Sequence, residues 1–294
     1  MAQLIQALVL GLLIGGVYAL MASGLTLIFG VMQIINIAQG AFLILVATFT
    51  WWLWRETGID PILASVITTP LMFGLGWLLY RLVVSRIKGQ SPSMSVLLTF
   101  GIALVIEGVL NVVAGNKFKS ATPSYFEESF TVGSIHLPKP QVYGFLAALV
   151  VLAGLYLVLT RTWTGRAIRA VSQNPSAAAL VGVSAAGTAA LAFALGSASA
   201  GVGGSILSVL YPFFPASHYD WISRLLGIVV LGGMGSLPGA MVGALILGLA
   251  ETLTATYGSL RWSTLVFYLV IMVVLLARPQ GLFGARLRED GVAA

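Results

Sequence analysis

Four polar residues interrupt long apolar stretches of the chain and are its first candidates for chemistry. Glu107 and Glu251 place carboxylates there, and Asn36 and Gln39 place amides. A carboxylate inside a bilayer is costly and is by default a functional candidate, whereas amides more often hydrogen-bond one helix to another. Functional and structural interpretations are even for Glu107, and structural pairing is favoured for Glu251. A polar route across a membrane would use Asn36, Gln39, Gly40 and Glu107.

Motifs for covalent, nucleotide or metal chemistry are absent from the sequence. There is no cysteine, no G-x-x-x-x-G-K-[ST] loop to hold phosphates and no H-E-x-x-H zinc pair. The two histidines, His136 and His218, are far apart in predicted external loops, where we expect both on the surface. We therefore expect a protein that is not an enzyme, with no catalytic residue, no metal and no cofactor of its own.

The polar stretch 165–182 has the pattern of an ordered surface element. Asn174 followed by Pro175 is a good helix start, because Asn caps free amides and proline occupies a position where its missing N–H is harmless. Gly182 provides a natural end. The stretch therefore predicts a short helix over residues 175–181.

This predicted helix has two possible roles. Leu180 and Val181 are available for an apolar contact, which suits a groove on a partner protein. Alternatively, the helix only stabilises its loop, and Arg166 and Arg169 only mark the inner leaflet. The residues by themselves favour neither role.

The composition that surrounds these residues is that of a membrane protein. Of 294 residues, 59% are hydrophobic and 8% are charged, whereas soluble domains carry about 25% charged residues. The 34 glycines suit helices that pack closely in lipid. The net charge of +6 comes from basic residues scattered between apolar runs, which positive-inside topology explains better than a nucleic-acid partner.

The apolar residues fall into eight segments that reach, or nearly reach, the length needed to cross about 30 Å of hydrocarbon. They predict an all-α, polytopic membrane helix bundle that forms a single domain over residues 1–294. The segments are 4–29, 34–54, 61–80, 94–114, 142–159, 188–211, 225–254 and 262–277.

The seventh segment is predicted to be broken into two short helices. As one helix it would be about 45 Å long, and it contains a cluster of helix-breaking residues. Broken helices at membrane depth are tolerated where they are buried in protein or line a cavity, so the break indicates a nearby pathway. The cluster comprises Gly232, Gly233, Gly235, Pro238 and Gly239.

Three basic connections should be cytoplasmic by the positive-inside rule. The mixed-charge stretch 115–141 is predicted to be an external loop. Counting crossings then requires that the seventh segment turn back, and it places the N-terminus outside and the C-terminus in the cytoplasm. The basic residues are Arg81, Arg86 and Lys88; Arg161, Arg166 and Arg169; and Arg278, Arg286 and Arg288.

Four motifs occur in an order typical of one family. They are GVYALMASGLTLIFGVMQIINIAQG at 16–40, the stretch 165–182, LGGMGSLPGA at 231–240 and RPQGLFG at 278–284. Over nearly the whole chain the sequence resembles the permease subunits of bacterial ABC importers for branched-chain amino acids, the LivH-like group.

The resemblance implies an inner-membrane importer with alternating access. Its partners would be two ATP-binding cassette subunits that use ATP, a second homologous permease subunit and a periplasmic substrate-binding protein, all around a chain embedded in the lipid bilayer. The loop at about 161–187 would dock on an ATPase subunit. The implied coupling residues are Gly165, Arg166, Arg169, Asn174, Pro175, Leu180 and Gly182.

Two alternatives remain open. The family usually has Ala-His-Gly-Glu or a close variant where this chain has Ala-Gln-Gly-Ala at 38–41, so a similar permease for urea, short amides or another small polar solute is one of them. The other is a self-sufficient, ion-coupled secondary transporter or channel, based on Glu107 and the broken segment.

Overall fold

The computed structural model describes residues 2–87, 92–133 and 135–284, so Lys88, Arg286 and Arg288 of the predicted basic stretches lie outside the described residues. Within them the chain forms eleven α-helices and one antiparallel β-hairpin. They are α1 (Ala2–Met32), α2 (Ala38–Thr57), α3 (Ser65–Leu82), α4 (Pro92–Ala114), β1 (Ser129–Val132), β2 (Ile135–Pro138), α5 (Lys139–Arg161), α6 (Trp163–Gln173), α7 (Pro175–Leu180), α8 (Ala185–Leu210), α9 (His218–Gly232), α10 (Leu237–Tyr257) and α11 (Leu260–Ala277).

The helices form a membrane bundle. Seven of those described are long and apolar enough to cross a bilayer: α1, α3, α4, α5, α8, α10 and α11. The predicted helical class is therefore confirmed, with the hairpin as an element that the sequence analysis treated as loop. Eight crossing segments were predicted, whereas seven of the described helices are long and apolar enough to cross.

α8 lies at the centre of the bundle because small residues let three neighbours approach it. A methyl group added at Gly196 would lie 2.7 Å from the carbonyl oxygen of Gly24 on α1, and one at Gly201 would lie 2.7 Å from Thr69 Cα on α3. Such contacts replace apolar burial as the source of stability between helices in lipid. α8 is consequently buried along most of its length.

α1 and α10 pack closely and run antiparallel. Gly11 and Gly15 of α1 lie against Leu249 and Leu245 of α10, and Gly30 lies against Gly235 at the opposite end. These contacts confirm the close helix packing that the glycine content indicates. The start of α1 and the end of α10 are therefore at the same end of the bundle.

That end also carries the β-hairpin, and we call it the hairpin end. Gln6 on α1 donates to the carbonyl of His136 (3.3 Å), and Lys119 pairs through its backbone with Phe213 after α8. Burial lowers the pKa of the Lys119 amine. The opposite end, where Leu27 and Val31 of α1 pack with α6 and α7, is the α6–α7 end.

The predicted helix break lies at the α6–α7 end. α9 ends at Gly232, and α10 begins at Leu237 with Pro238 in its first turn. Gly233 and Gly235 have φ values of 101° and 84°, which favour glycine. Gly239 fits against the carbonyl of Gly232.

The lengths of the two helices differ from the prediction. α10 has 21 residues and α9 has 15, so only α9 is short. α9 also begins at His218 rather than at Leu225. The reason is that Trp221 and Ile222 extend the buried face of α9, while polar residues of its first turns bind partners on other helices.

Candidate functional site

α6 is an amphipathic helix that the sequence analysis treated as a basic loop. Thr162 caps its start by accepting a hydrogen bond from the Gly165 amide (3.2 Å). Ile168 and Val171 are buried against α1 and α5. Gly165 lies so close to the carbonyl of Leu159 that a side chain there would overlap it, which gives this glycine a structural reason.

α7 follows α6 after a single residue, Asn174. The Asn174 side chain accepts a hydrogen bond from the Ala177 amide (2.9 Å), and Pro175 occupies the first turn. The chain turns at Gly182, whose φ is 82°. The predicted short helix and its cap are confirmed, with Leu180 as its last residue.

The surface formed by α6 and α7 is basic and apolar. Leu180 is 89% exposed, Val181 76% and Trp163 68%. Arg166 lies over the Trp163 ring at 5.5 Å, and Arg169 is fixed by donating to the Leu159 carbonyl (2.8 Å). Exposed apolar side chains beside fixed cations are typical of a protein contact.

The charges of the two ends differ. In the described part of the chain, the α6–α7 end carries arginines and no acidic residue, whereas the hairpin end mixes both signs through Lys117, Glu127 and Glu128. The arginines are Arg81, Arg86, Arg161, Arg166, Arg169 and Arg278.

The two predicted amides, Asn36 just before α2 and Gln39 in its first turn, lie inside the bundle. The Gln39 amide donates to the carbonyl of Gly196 on α8 (3.0 Å), so it joins two helices. Asn36 is buried beside Gln39, and no described residue donates to its Oδ1. Gly40 lets α2 approach the carbonyl of His218, which an added methyl group would meet at 2.5 Å.

Glu107 of α4 binds the first turn of α9. Its Oε2 lies 3.0 Å from His218 Nε2 and accepts from the Tyr219 hydroxyl at 3.1 Å. Glu107 is four residues from the middle of α4, about 6 Å along the helix, and hence at membrane depth. The expectation that His218 lies on a loop surface is wrong, because its side chain is 1% exposed. α9 begins at His218, and the imidazole ring binds the Glu107 carboxylate.

Glu251 of α10 is paired with a cation that the sequence analysis did not consider. Arg224 Nη1 donates to Glu251 Oε1 (2.7 Å) and to the Tyr18 hydroxyl (3.1 Å). Tyr18 donates to Glu251 Oε2 (2.7 Å) and lies 3.2 Å from the Tyr211 hydroxyl. Arg224 immediately precedes the predicted seventh segment. Its spacing of four residues from Asp220 is typical of a helix and was the signal that could have included Arg224 in the helix.

α9 thus binds both of the carboxylates at membrane depth. Its first turn binds Glu107 on α4, and its middle binds Glu251 on α10 and Tyr18 on α1. The helix-break residues Gly232, Gly235, Pro238 and Gly239 lie at its end. In the described ranges no three His, Asp or Glu side chains form a metal site.

Comparison with known proteins gives a consistent family. Residues 7–275 match the family model described as branched-chain amino acid transport system, permease component. The chain is 28% identical to the high-affinity branched-chain amino acid permease LivH of Escherichia coli K12 and 29% identical to BraD of Pseudomonas aeruginosa PAO1, covering 95% of each chain in both cases. It is 28% identical to a probable LivH of Methanocaldococcus jannaschii over 90% of this chain and 88% of the other. No solved structure matches it.

Proposed function

The chain belongs to the family of permease components of branched-chain amino acid transport systems, and from this premise we propose that it forms the membrane passage of an ABC importer for aliphatic amino acids. As such a component it is a multi-pass membrane protein and not itself catalytic. The observation that carries the coupling proposal is the α6–α7 surface, a capped and anchored element that exposes the large apolar side chains of Trp163, Leu180 and Val181.

ATP hydrolysis must come from other subunits, since the sequence has no phosphate-binding loop. We infer two ATP-binding cassette subunits, a second homologous permease subunit and a substrate-binding protein as partners. The loop at about 161–187 is the coupling element, within one permease domain over residues 1–294. Leu180 and Val181 would enter an apolar groove on an ATPase, while Arg166 and Arg169 border the contact.

The charge difference between the ends supports an orientation. Cytoplasmic connections carry an excess of Lys and Arg, so the α6–α7 end is placed in the cytoplasm together with the C-terminus. The hairpin end then faces outward, where the binding protein delivers substrate. In this topology all eight predicted segments enter the bilayer, and the seventh turns back at its break.

The route for substrate is proposed to pass beside Asn36, Gln39, Gly40 and Glu107. Irregular backbone and partly exposed carboxylates at membrane depth are tolerated where they line a cavity. The family and the relatives, which are named as branched-chain amino acid permeases, favour an aliphatic amino acid as the substrate. Uptake of urea or short amides instead of leucine would identify another solute.

The test is a charge placed on the coupling surface. Leu180→Glu puts a carboxylate into the proposed apolar contact without disturbing the fold, because Leu180 is almost fully exposed. A disrupted contact hot spot costs about 2 kcal/mol or more. Leucine uptake by the assembled transporter in proteoliposomes should therefore fall roughly tenfold or more, and less ATPase should co-purify.

The matched control is Ser124→Glu, which adds the same charge at an exposed position of the hairpin end. It should leave uptake and co-purification unchanged. Equal uptake by the Leu180→Glu and Ser124→Glu transporters would contradict the assignment of α7 to the ATPase contact.

A further inference from the structure

The exposed face of α9, on the side of the helix that does not pack into the bundle, is polar although it lies within the membrane. α9 has 15 residues and spans about 22 Å, less than the roughly 30 Å of hydrocarbon. Since α9 ends at the α6–α7 end, its first turn starts inside the bilayer, at the depth of Glu107. At that depth in the bilayer, the side chains of Tyr219, Asp220 and Ser223 are exposed on the surface of the described chain.

Asp220 cannot face lipid at low cost. A carboxylate near the bilayer centre costs about 2.5 to 3.5 kcal/mol or more, and the short Asp side chain cannot reach the interface as Lys or Arg can. Among the described residues no basic group lies within 4 Å of Asp220. The face around Asp220 therefore meets water, a solute or another protein.

A cation lies one turn further along the same face. Asp220 and Arg224 are four residues apart, and such positions are neighbours on a helix surface. They form no ion pair within 4 Å, so a gap separates their charges. Both hydrogen bonds of Arg224 use Nη1, and no described residue accepts from its Nε or Nη2, although a guanidinium has five N–H donors.

We propose that this face of α9 binds the head group of an amino acid in transit, with Asp220 taking the ammonium group and Arg224 the carboxylate. A zwitterion is the solute whose two charges match a carboxylate and a guanidinium that are close but unpaired with each other. Glu107 and Glu251 position the helix by binding His218 and Arg224. This inference rests on the proposed function, and it names the part of the route that recognises the substrate.

Asp220→Asn tests the ammonium contact. Losing a hydrogen bond between two charged groups weakens binding roughly tenfold or more. In the assembled transporter with binding protein, leucine uptake should fall by that factor, while all subunits still co-purify. Asp220→Glu should recover part of the uptake. Glu127→Gln, an exposed carboxylate of the hairpin end, is the control and should behave as wild type.

Direct binding separates recognition from a structural role. Radiolabelled leucine bound to the purified transporter without binding protein should be displaced poorly by 4-methylpentanoate, which lacks the ammonium group, and Asp220→Asn should largely abolish that discrimination. Wild-type discrimination in Asp220→Asn would overturn the proposal. Loss of the second permease subunit from the Asp220→Asn complex would also overturn it, because the face would then be a subunit contact.

A failure of the proposed function would give a different experimental result from a failure of this inference. If the wild-type transporter itself took up no leucine, both the function and this inference would be wrong. If wild type took up leucine and Asp220→Asn matched it, only the inference would be wrong.

Discussion

Glu251 and Arg224 stabilise each other at membrane depth, and each would be costly alone. Their side chains are 16% and 19% exposed and lie 2.7 Å apart, with Tyr18 bound to both. Removing one partner of a buried pair leaves an uncompensated charge and costs about 3 to 5 kcal/mol. The pair joins α9 to α10, and Tyr18 joins both to α1.

Glu251→Gln should accordingly destabilise the protein in detergent by several degrees of Tm, measured by thermal unfolding. Arg224→Gln combined with Glu251→Gln should be less destabilised than Glu251→Gln alone, because no unpaired charge remains. The control is Glu128→Gln, which breaks the exposed pair with Lys139 at the hairpin end and should change Tm little. Equal Tm values for Glu251→Gln and Glu128→Gln would contradict the role of the pair.

Residue roles were predictable from sequence only where they depend on neighbours in the chain. The cap at Asn174 follows from Pro175 and the residues just after it. The burial of His218 depends on Glu107, 111 residues earlier, and the role of Arg224 depends on Glu251, 27 residues later. No local pattern identifies such partners, and so His218 was misplaced and Arg224 was overlooked.

At the scale of elements, α7 is short enough that its cap decides its stability. A six-residue helix gains little from propagation, and replacing an Asn cap by Ala costs about 1 kcal/mol. Asn174→Ala should therefore increase the hydrogen-exchange rate of the Ala177 amide several-fold, and Asn174→Asp should preserve it because Asp caps equally well. Unchanged exchange in Asn174→Ala would mean that packing alone holds α7.

Elements were predicted well where breakers or long apolar runs define them. The glycine and proline cluster located the break between α9 and α10, and the apolar runs located the seven described helices that are long and apolar enough to cross a bilayer. α6 was not predicted, because its arginines drew the interpretation toward a loop although Ile168 and Val171 have helical spacing. The hairpin was not predicted because β1 and β2 have four residues each and little alternation.

For the whole molecule, α9 links α4 to the closely packed pair of α1 and α10. It binds α4 through His218 and Tyr219, and α1 and α10 through Arg224. Its last residue, Gly232, packs against Gly239 and Ala240 in α10, and its carbonyl accepts a backbone hydrogen bond from Phe283 after α11.

The class and membrane character of the molecule could be predicted from composition, because 8% charged residues cannot cover a water-soluble surface. The arrangement of helices could not, since it depends on glycine contacts such as Gly24 with Gly196 across 172 positions. The orientation in the membrane rests on arginines alone and is the claim on which the transport mechanism depends.

The most direct test of that claim is the side of the membrane on which α7 lies. The chain has no cysteine, so Leu180→Cys and Lys117→Cys each introduce a single thiol, exposed at the α6–α7 end and at the hairpin end respectively. With a membrane-impermeant maleimide and the permease expressed without its ATPase subunits, Leu180→Cys should be labelled in inside-out vesicles and protected in right-side-out vesicles, and Lys117→Cys should show the reverse. Labelling of Leu180→Cys in right-side-out vesicles would contradict the account, because no cytoplasmic ATPase could then reach α7.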